Sequence, residues 1–344
     1  MKKFIASAAI CVFLAASALA KPVVGQFIGY YNKEKPSRLP DVSCMTHLIF
    51  APARINPDFT LAIQAEEHLA CIPELRKINP DIKITLLVGG ARSQNFSQAA
   101  ATPESRAKFL GEFARVFEKY GFDGIDLDWE FPGRSAPEYG QTASPDDVKN
   151  YTLLMKEYRE RFPEKILTVD VGNGVEHLDF EGAQKYADFF HLMSYDYSTI
   201  KHNAPLFRSM MTKKACVSES VEKLLKKVPA KKIVMGVPFY GHHIIDPRNP
   251  NPQMSFADAQ KYIKKHNLTL CRDEVAKAPF YIDYKHNVRV ICEDEKSIRE
   301  KCRYAKSKGL AGVVAWQHFG DDSAQTLTRA MFGEMLKKSP RKEK

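Results

Sequence analysis

Short apolar runs alternate with amphipathic stretches along most of the chain. Eight of these runs, at 24–30, 47–52, 83–88, 124–130, 166–171, 189–195, 233–239 and 312–316, have the length of strands. Most are rich in Val, Ile, Leu and Phe without polar alternation, the pattern of parallel strands covered on both faces. Helical patterns with recognisable starts lie between them. Thr102-Pro103-Glu104 and Ser144-Pro145-Asp146-Asp147 each offer a capping side chain, a proline for the first turn and acid near the helix start. Residues 107–120 and 148–162 then carry apolar side chains at helical spacing. Eight strands with helices between them predict an α/β fold, a (β/α)8 barrel, with a doubly wound open sheet as the competing topology. The interval 242–311 is longer than one loop and helix need. It predicts a small insertion between the seventh and eighth strands, with a helix at 256–266 and a hairpin near 281–290.

One run breaks the apolar pattern. Across Gly124-Ile125-Asp126-Leu127-Asp128-Trp129-Glu130, acidic and apolar residues alternate with a period of two, so Asp126, Asp128 and Glu130 share one strand face and Ile125, Leu127 and Trp129 the other. Three carboxylates on one face repel one another, and a strand serving stability alone avoids them. Such crowding pushes proton affinities apart, as acid/base chemistry requires. A solvated charged strand is the plainer reading, opposed by the apolar runs on either side. A divalent-cation site is another, but carboxylates along one strand spread by about 7 Å per two residues and do not converge on one ion, so no metal and no cofactor is expected. Asp123 has the wrong parity to join the row and is assigned a supporting role. In a barrel, functional residues gather at the carboxyl ends of strands, where Glu130, Tyr195, Tyr240 and Trp316 fall.

Composition narrows the setting. Lys2 and Lys3, an apolar stretch at 4–16 and Ala18-Leu19-Ala20 read as a cleavable export signal over 1–20, leaving 21–344 as one catalytic domain, secreted or periplasmic. No later run is long enough to span a membrane. The formal charge is +10, two units of which leave with Lys2 and Lys3. Much of the rest sits in solvated clusters such as Lys226-Lys227 and Lys231-Lys232, and no nucleic-acid motif accompanies it. A monomer is expected. Beyond Cys11 the chain carries Cys44, Cys71, Cys216, Cys271, Cys292 and Cys302; an even number in an oxidising compartment predicts disulfides, with Cys271–Cys292 across the hairpin as one candidate.

Asp123-x-x-Asp126-x-Asp128-x-Glu130 resembles the acidic signature of glycoside hydrolase family 18, the chitinase-like family, and further motifs follow in order. Met193-Ser194-Tyr195-Asp196, Asn203-Ala204-Pro205-Leu206, Gly236-Val237-Pro238-Phe239-Tyr240-Gly241 and Gly312-Val313-Val314-Ala315-Trp316 resemble its later segments. The resemblance implies an exported hydrolase of β-1,4 linkages beside N-acetylglucosamine, in chitin or chitooligosaccharides. The implied mechanism is retaining, with the substrate's own acetamido group as nucleophile. It implies Glu130 as general acid, Asp128 orienting the acetamido group, Asp126 sharing a proton with Asp128, and Tyr195 bonding the acetamido oxygen. Trp316 would be the sugar platform, with Met193, Asp196, Tyr30 and Tyr240 as substrate contacts. Three positions depart from the family pattern: Leu87-Val88-Gly89-Gly90-Ala91 stands for Ser-x-Gly-Gly-aromatic, Pro52 for a pocket aromatic, and His242 for a frequent arginine. An endo-acting enzyme on N-glycans or peptidoglycan fragments and a non-hydrolytic chitinase-like lectin stay open as alternatives. Trp129 opposes the N-glycan branch, and retention of Glu130 opposes the lectin.

Overall fold

A computed structural model describes residues 23–28, 39–212, 215–246, 248 and 251–336; the expected export signal and Tyr30 lie outside the described residues. The strands in chain order are β1 (Val23–Ile28), β2 (His47–Ile55), β3 (Leu61–Ile63), β4 (Lys83–Gly89), β5 (Gly124–Asp128), β6 (Ile166–Gly172) and β7 (Phe189–Met193). Then come β8 (Ile233–Pro238), β9 (Tyr240–His243), β10 (Gln253–Ser255), β11 (Thr269–Asp273), β12 (Ala278–Ile282), β13 (Val288–Ile291) and β14 (Gly312–Trp316). The main sheet runs β1-β14-β8-β7-β6-β5-β4-β2-β3, and β1 also pairs with β2. That extra pairing closes the ring, so the open-sheet alternative falls and the fold is a (β/α)8 barrel. Every barrel pairing is parallel, and only the short β3 runs antiparallel, against the outer end of β2.

Register puts side chains of neighbouring strands in rows across the barrel interior. Leu87, Asp126 and Thr168 are partners across β4, β5 and β6, and Asp170, His191 and Val234 are partners across β6, β7 and β8. Ile49, Leu87, Val234 and Val314 form a small apolar cluster inside the barrel, with Trp316 packed on it. The carboxyl-bearing side of the interior is that of β5, β6 and β7, while Ile49, Leu87, Val234 and Val314 make an apolar patch on the side of β2, β4, β8 and β14. The larger core lies outside the ring, between strands and helices. Trp129 belongs there: it stacks on Phe96 with centroids 5.1 Å apart and meets Tyr151 edge-on.

Helix Pro103–Tyr120 starts at the expected cap, Thr102, which exchanges hydrogen bonds with Ser105, and stops at Gly121, whose φ of 70° ends the helix. The second expected cap differs. Helix Asp147–Arg161 begins without a side-chain cap, because the Asp147 carboxylate instead accepts from the Ser97 hydroxyl at 2.6 Å, Ser144 N–H at 2.9 Å and Gly133 N–H at 3.2 Å. Buried Asp147 thereby ties the loop after Glu130 to a helix.

Between β8 and β14 the chain builds a second, antiparallel sheet in the order β10-β9-β13-β12-β11, with helix Phe256–Lys265 capped by Ser255. The hairpin expected near 281–290 is β12 with β13, but the disulfide does not follow. Cys271 pairs across to Phe280, which pairs on its other side to Ile291. A whole strand thus separates Cys271 from the chain leading to Cys292, about twice the 4.8 Å strand spacing and beyond the reach of a disulfide. All six described cysteines are free thiols. Among the described residues no helix is long and apolar enough to cross a membrane.

Asp123 sits at the amino ends of the strands, away from the acidic row's far end. Its carboxylate accepts from Ile84 N–H at 2.8 Å and Arg76 at 2.9 Å, and its backbone bonds to both Ile84 and Ile166. Asp123→Ala strands a buried donor on β4, so urea unfolding should show a loss of roughly 1–3 kcal/mol; a change within error would refute this joint.

Candidate active site

The carboxyl ends of the strands form the site. β4 ends in register with β5, Gly89 opposite Asp128, and Gly90 N–H donates to the Asp128 carbonyl at 2.8 Å. Gly89 holds a φ of 121°, and a Cβ there would lie 2.0 Å from that carbonyl, so the close approach of the two strands requires glycine. β5 stops at Asp128, two residues short of Glu130, the last member of the acidic row. The alternation nevertheless continues, with Trp129 buried outward and Glu130 half-buried at the mouth.

Asp126 is fully buried. It accepts from the Thr168 hydroxyl, and His191 Nδ1 lies 3.2 Å from one of its oxygens. Its other oxygen and Asp128 Oδ1 are buried without a hydrogen-bond partner. Burial, then Glu130 and Asp126, hold the Asp128 carboxyl well above the usual range, and Arg54 opposes the shift. Asp170 is raised likewise, by burial first and then by Asp126 and Asp128. Glu130 is pushed up to about 7 by burial and by Asp196, again against Arg54. Tyr195 keeps its phenolic proton, since burial and the surrounding carboxylates raise it.

Two cavities meet at Glu130. One, of about 250 Å³, is lined by Asp128, Glu130, Asp170, Tyr195 and Trp316 with Arg54 and Pro52 on its wall. The other, of about 390 Å³, has Phe131, Arg134, Asn173 and His177. Met193, Tyr195 and Asp196 line both. The structure thus brings Glu130, Asp128, Tyr195, Trp316, Met193 and Asp196 together, with Asp126 directly beneath. Tyr240 lines neither cavity; it donates to Asp196 Oδ1 at 2.5 Å and packs edge-on against Tyr195. Asp123 lies at the other end of the barrel.

Sequence reasoning missed Asp170, His191 and Arg54. Each lies in a mainly apolar strand, beside Thr168 for Asp170 and with His47 at the far end for Arg54, and the charge is an anomaly legible in the sequence. Asp126, Asp170 and His191 bring one ligand atom each within 4.8 Å of one another, the one such group among the described residues. With Asp170 held toward its protonated form and Thr168 bonded to Asp126, the group fits shared protons better than a cation, which needs ionised carboxylates.

Residues 26–321 match glycosyl hydrolases family 18, and the chain belongs to that family. It is 30% identical over 293 residues to chitinase A1 of Niallia circulans, covering 72% of this chain and 42% of that protein. Chitotriosidase-1 of Mus musculus is 27% identical over 328 residues, 80% of this chain and 67% of that one. The solved structure of a family 18 N-acetylglucosaminidase from Paenibacillus barengoltzii matches with a TM-score of 0.79 at 29% identity, over 91% of this chain and 99% of that chain. The chain spans less than half the length of the Niallia circulans protein.

The raised Glu130 has a consequence for stability. Between the carboxyl's ordinary pKa of 4.5 and about 7 the folded state holds a proton that the unfolded state has released, so this group's contribution falls as pH rises through that window. Glu130→Gln removes the titration. Its melting temperature should match the parent's near pH 4 and exceed it above pH 7, equivalent to roughly 1–3 kcal/mol; parallel curves across that range would contradict the buried, proton-holding glutamate.

Proposed function

We propose that this protein hydrolyses β-1,4 linkages beside N-acetylglucosamine in chitin-type oligosaccharides, with retention through the substrate's acetamido group. One observation carries the reading. Asp128, whose Oδ1 is buried and unpartnered, lines one cavity together with Glu130, Tyr195 and Trp316.

In this reading the sugar to be cleaved lies in the smaller cavity against the Trp316 ring, and the leaving group lies across Glu130 in the larger one. Glu130, protonated up to about pH 7, gives its proton to the glycosidic oxygen as that bond breaks. Asp128 keeps a proton shared with its buried neighbours, which makes it a poor nucleophile but a good hydrogen-bond partner for the acetamido group. The acetamido oxygen then attacks the anomeric carbon, and the Tyr195 hydroxyl steadies it. Glu130, now a carboxylate, takes a proton from the water that opens the cyclic intermediate. Two displacements at one carbon leave its configuration unchanged. The names of the relatives, two chitinase-type enzymes and one N-acetylglucosaminidase, support the substrate class. Residues 1–20 would carry the enzyme out of the cytosol.

Mass spectrometry of products from N-acetylglucosamine oligomers tests the reading. Oligomer cleavage is expected, with single sugars marking exo action and disaccharides the chitinase pattern; intact substrate would sink it. Glu130→Gln should lower kcat by about 100- to 10,000-fold while Kd stays within a factor of about 3. A general acid must carry its proton, so kcat/KM should fall above about pH 7, by about tenfold per pH unit. Cellotetraose, which lacks the acetamido group, should be inert; brisk cleavage would exclude substrate assistance.

A further inference from the structure

The cavity that holds Asp128 also holds an arginine to which the steps above assign no contact with the sugar. Arg54 lies on the outer half of β2, beyond a register shift between Phe50 and Ala53, and both Pro52 and Arg54 line the cavity. Its Nη1 donates to the carbonyls of Gly89, Gly90 and Ala91 at 2.6, 3.2 and 3.2 Å. One corner of the guanidinium is therefore fixed to the exit of β4. Among the described residues its Nε and Nη2 have no hydrogen-bond partner and Arg54 forms no ion pair. A Cβ built on Gly90 would stand 3.5 Å from Arg54 Nη1, 3.9 Å from Nη2 and 3.6 Å from Asp128 Oδ2. The guanidinium and the Asp128 carboxyl thus flank one glycine, and the wall beside them is made of Pro52, Gly90 and Ala91. Nothing bulky at these positions shields the cation.

A half-buried guanidinium whose remaining N–H groups are left to solvent is open to a partner, and the planar group whose geometry matches that edge is a carboxylate, bound by two parallel hydrogen bonds. Asp128 and Glu130 line the same cavity but neither forms an ion pair with Arg54, whose hydrogen bonds go to the three carbonyls. Resting on the glycosidase reading above, we propose that Arg54 selects an acidic glycan: a β-1,4 chain in which N-acetylglucosamine alternates with a carboxylate-bearing sugar, whose carboxylate docks on Nε and Nη2. A neutral glycan would offer the same edge only single hydroxyl contacts.

The test compares three tetrasaccharides: an N-acetylglucosamine tetramer, one alternating N-acetylglucosamine with its 3-O-lactyl acid, and the lactyl methyl ester of the latter. Calorimetry with Glu130→Gln protein reads binding without turnover. The acid should bind about tenfold or more tighter than its ester. Adding Arg54→Gln should bring that ratio to about one, and Arg54→Lys, which keeps the charge but not the fork, should retain part of it. A parent ratio near one, a ratio that survives Arg54→Gln, or no binding of either lactyl glycan overturns the proposal. Should Arg54→Gln fail to fold, the parent ratio and the Arg54→Lys variant still decide. Turnover of the plain tetramer by unaltered protein separates the two readings: cleavage with an acid-to-ester ratio near one sinks the acidic-glycan inference alone, and no cleavage sinks the hydrolase reading.

Discussion

Carboxyl groups stacked along one side of a barrel interior, with no lysine or arginine paired to them among the described residues, set the terms for the rest of this site. Asp126, Asp128 and Asp170 are removed from water on the side of the ring formed by β5, β6 and β7. Full ionisation of three buried acids a few ångströms apart costs far more than a fold can absorb, so protons are retained and shared. Thr168 and His191 fill the remaining polar positions of the same rows. The opposite side of the ring is built chiefly on the apolar Ile49, Leu87, Val234 and Val314.

The barrel separates holding from reacting along its axis. At the amino ends, Asp123 joins β4, β5 and β6 through backbone bonds and Arg76. At the carboxyl ends, Gly89 lets β4 touch the backbone at Asp128, and Asp147 fastens the loop that follows Glu130. The acidic row is fixed on both sides before any side chain meets a ligand, which is the condition for groups that must keep their geometry while protons move.

Much of this was legible in the sequence. The apolar runs located every barrel strand, and a period-two alternation assigned Asp126, Asp128 and Glu130 to one face and Trp129 to the other, even though β5 stops at Asp128. Asp170, His191 and Arg54 escaped because none belongs to a row of like residues along its own strand. A lone charge acquires meaning only beside its partners, and cross-strand register, which puts Asp170 next to His191 and Arg54 beside the exit of β4, is not written in a single chain. The Cys271–Cys292 pairing failed for the same reason. The residues near 279–290 do form a hairpin, but Cys271 lies on a third strand, with β12 intervening.

Arg54 connects the electrostatics of the site to its shape. A residue that serves first as acid and then as base works best when neither form is strongly preferred near the working pH. Burial and Asp196 push Glu130 toward the protonated form and Arg54 pulls it back, with the balance at about 7. Held by three carbonyls at one corner instead of by a carboxylate, the guanidinium supplies an intermediate field. The same arrangement leaves its other edge facing the cavity, so the geometry that sets the proton affinity of Glu130 also leaves donors available to whatever occupies the space beside it.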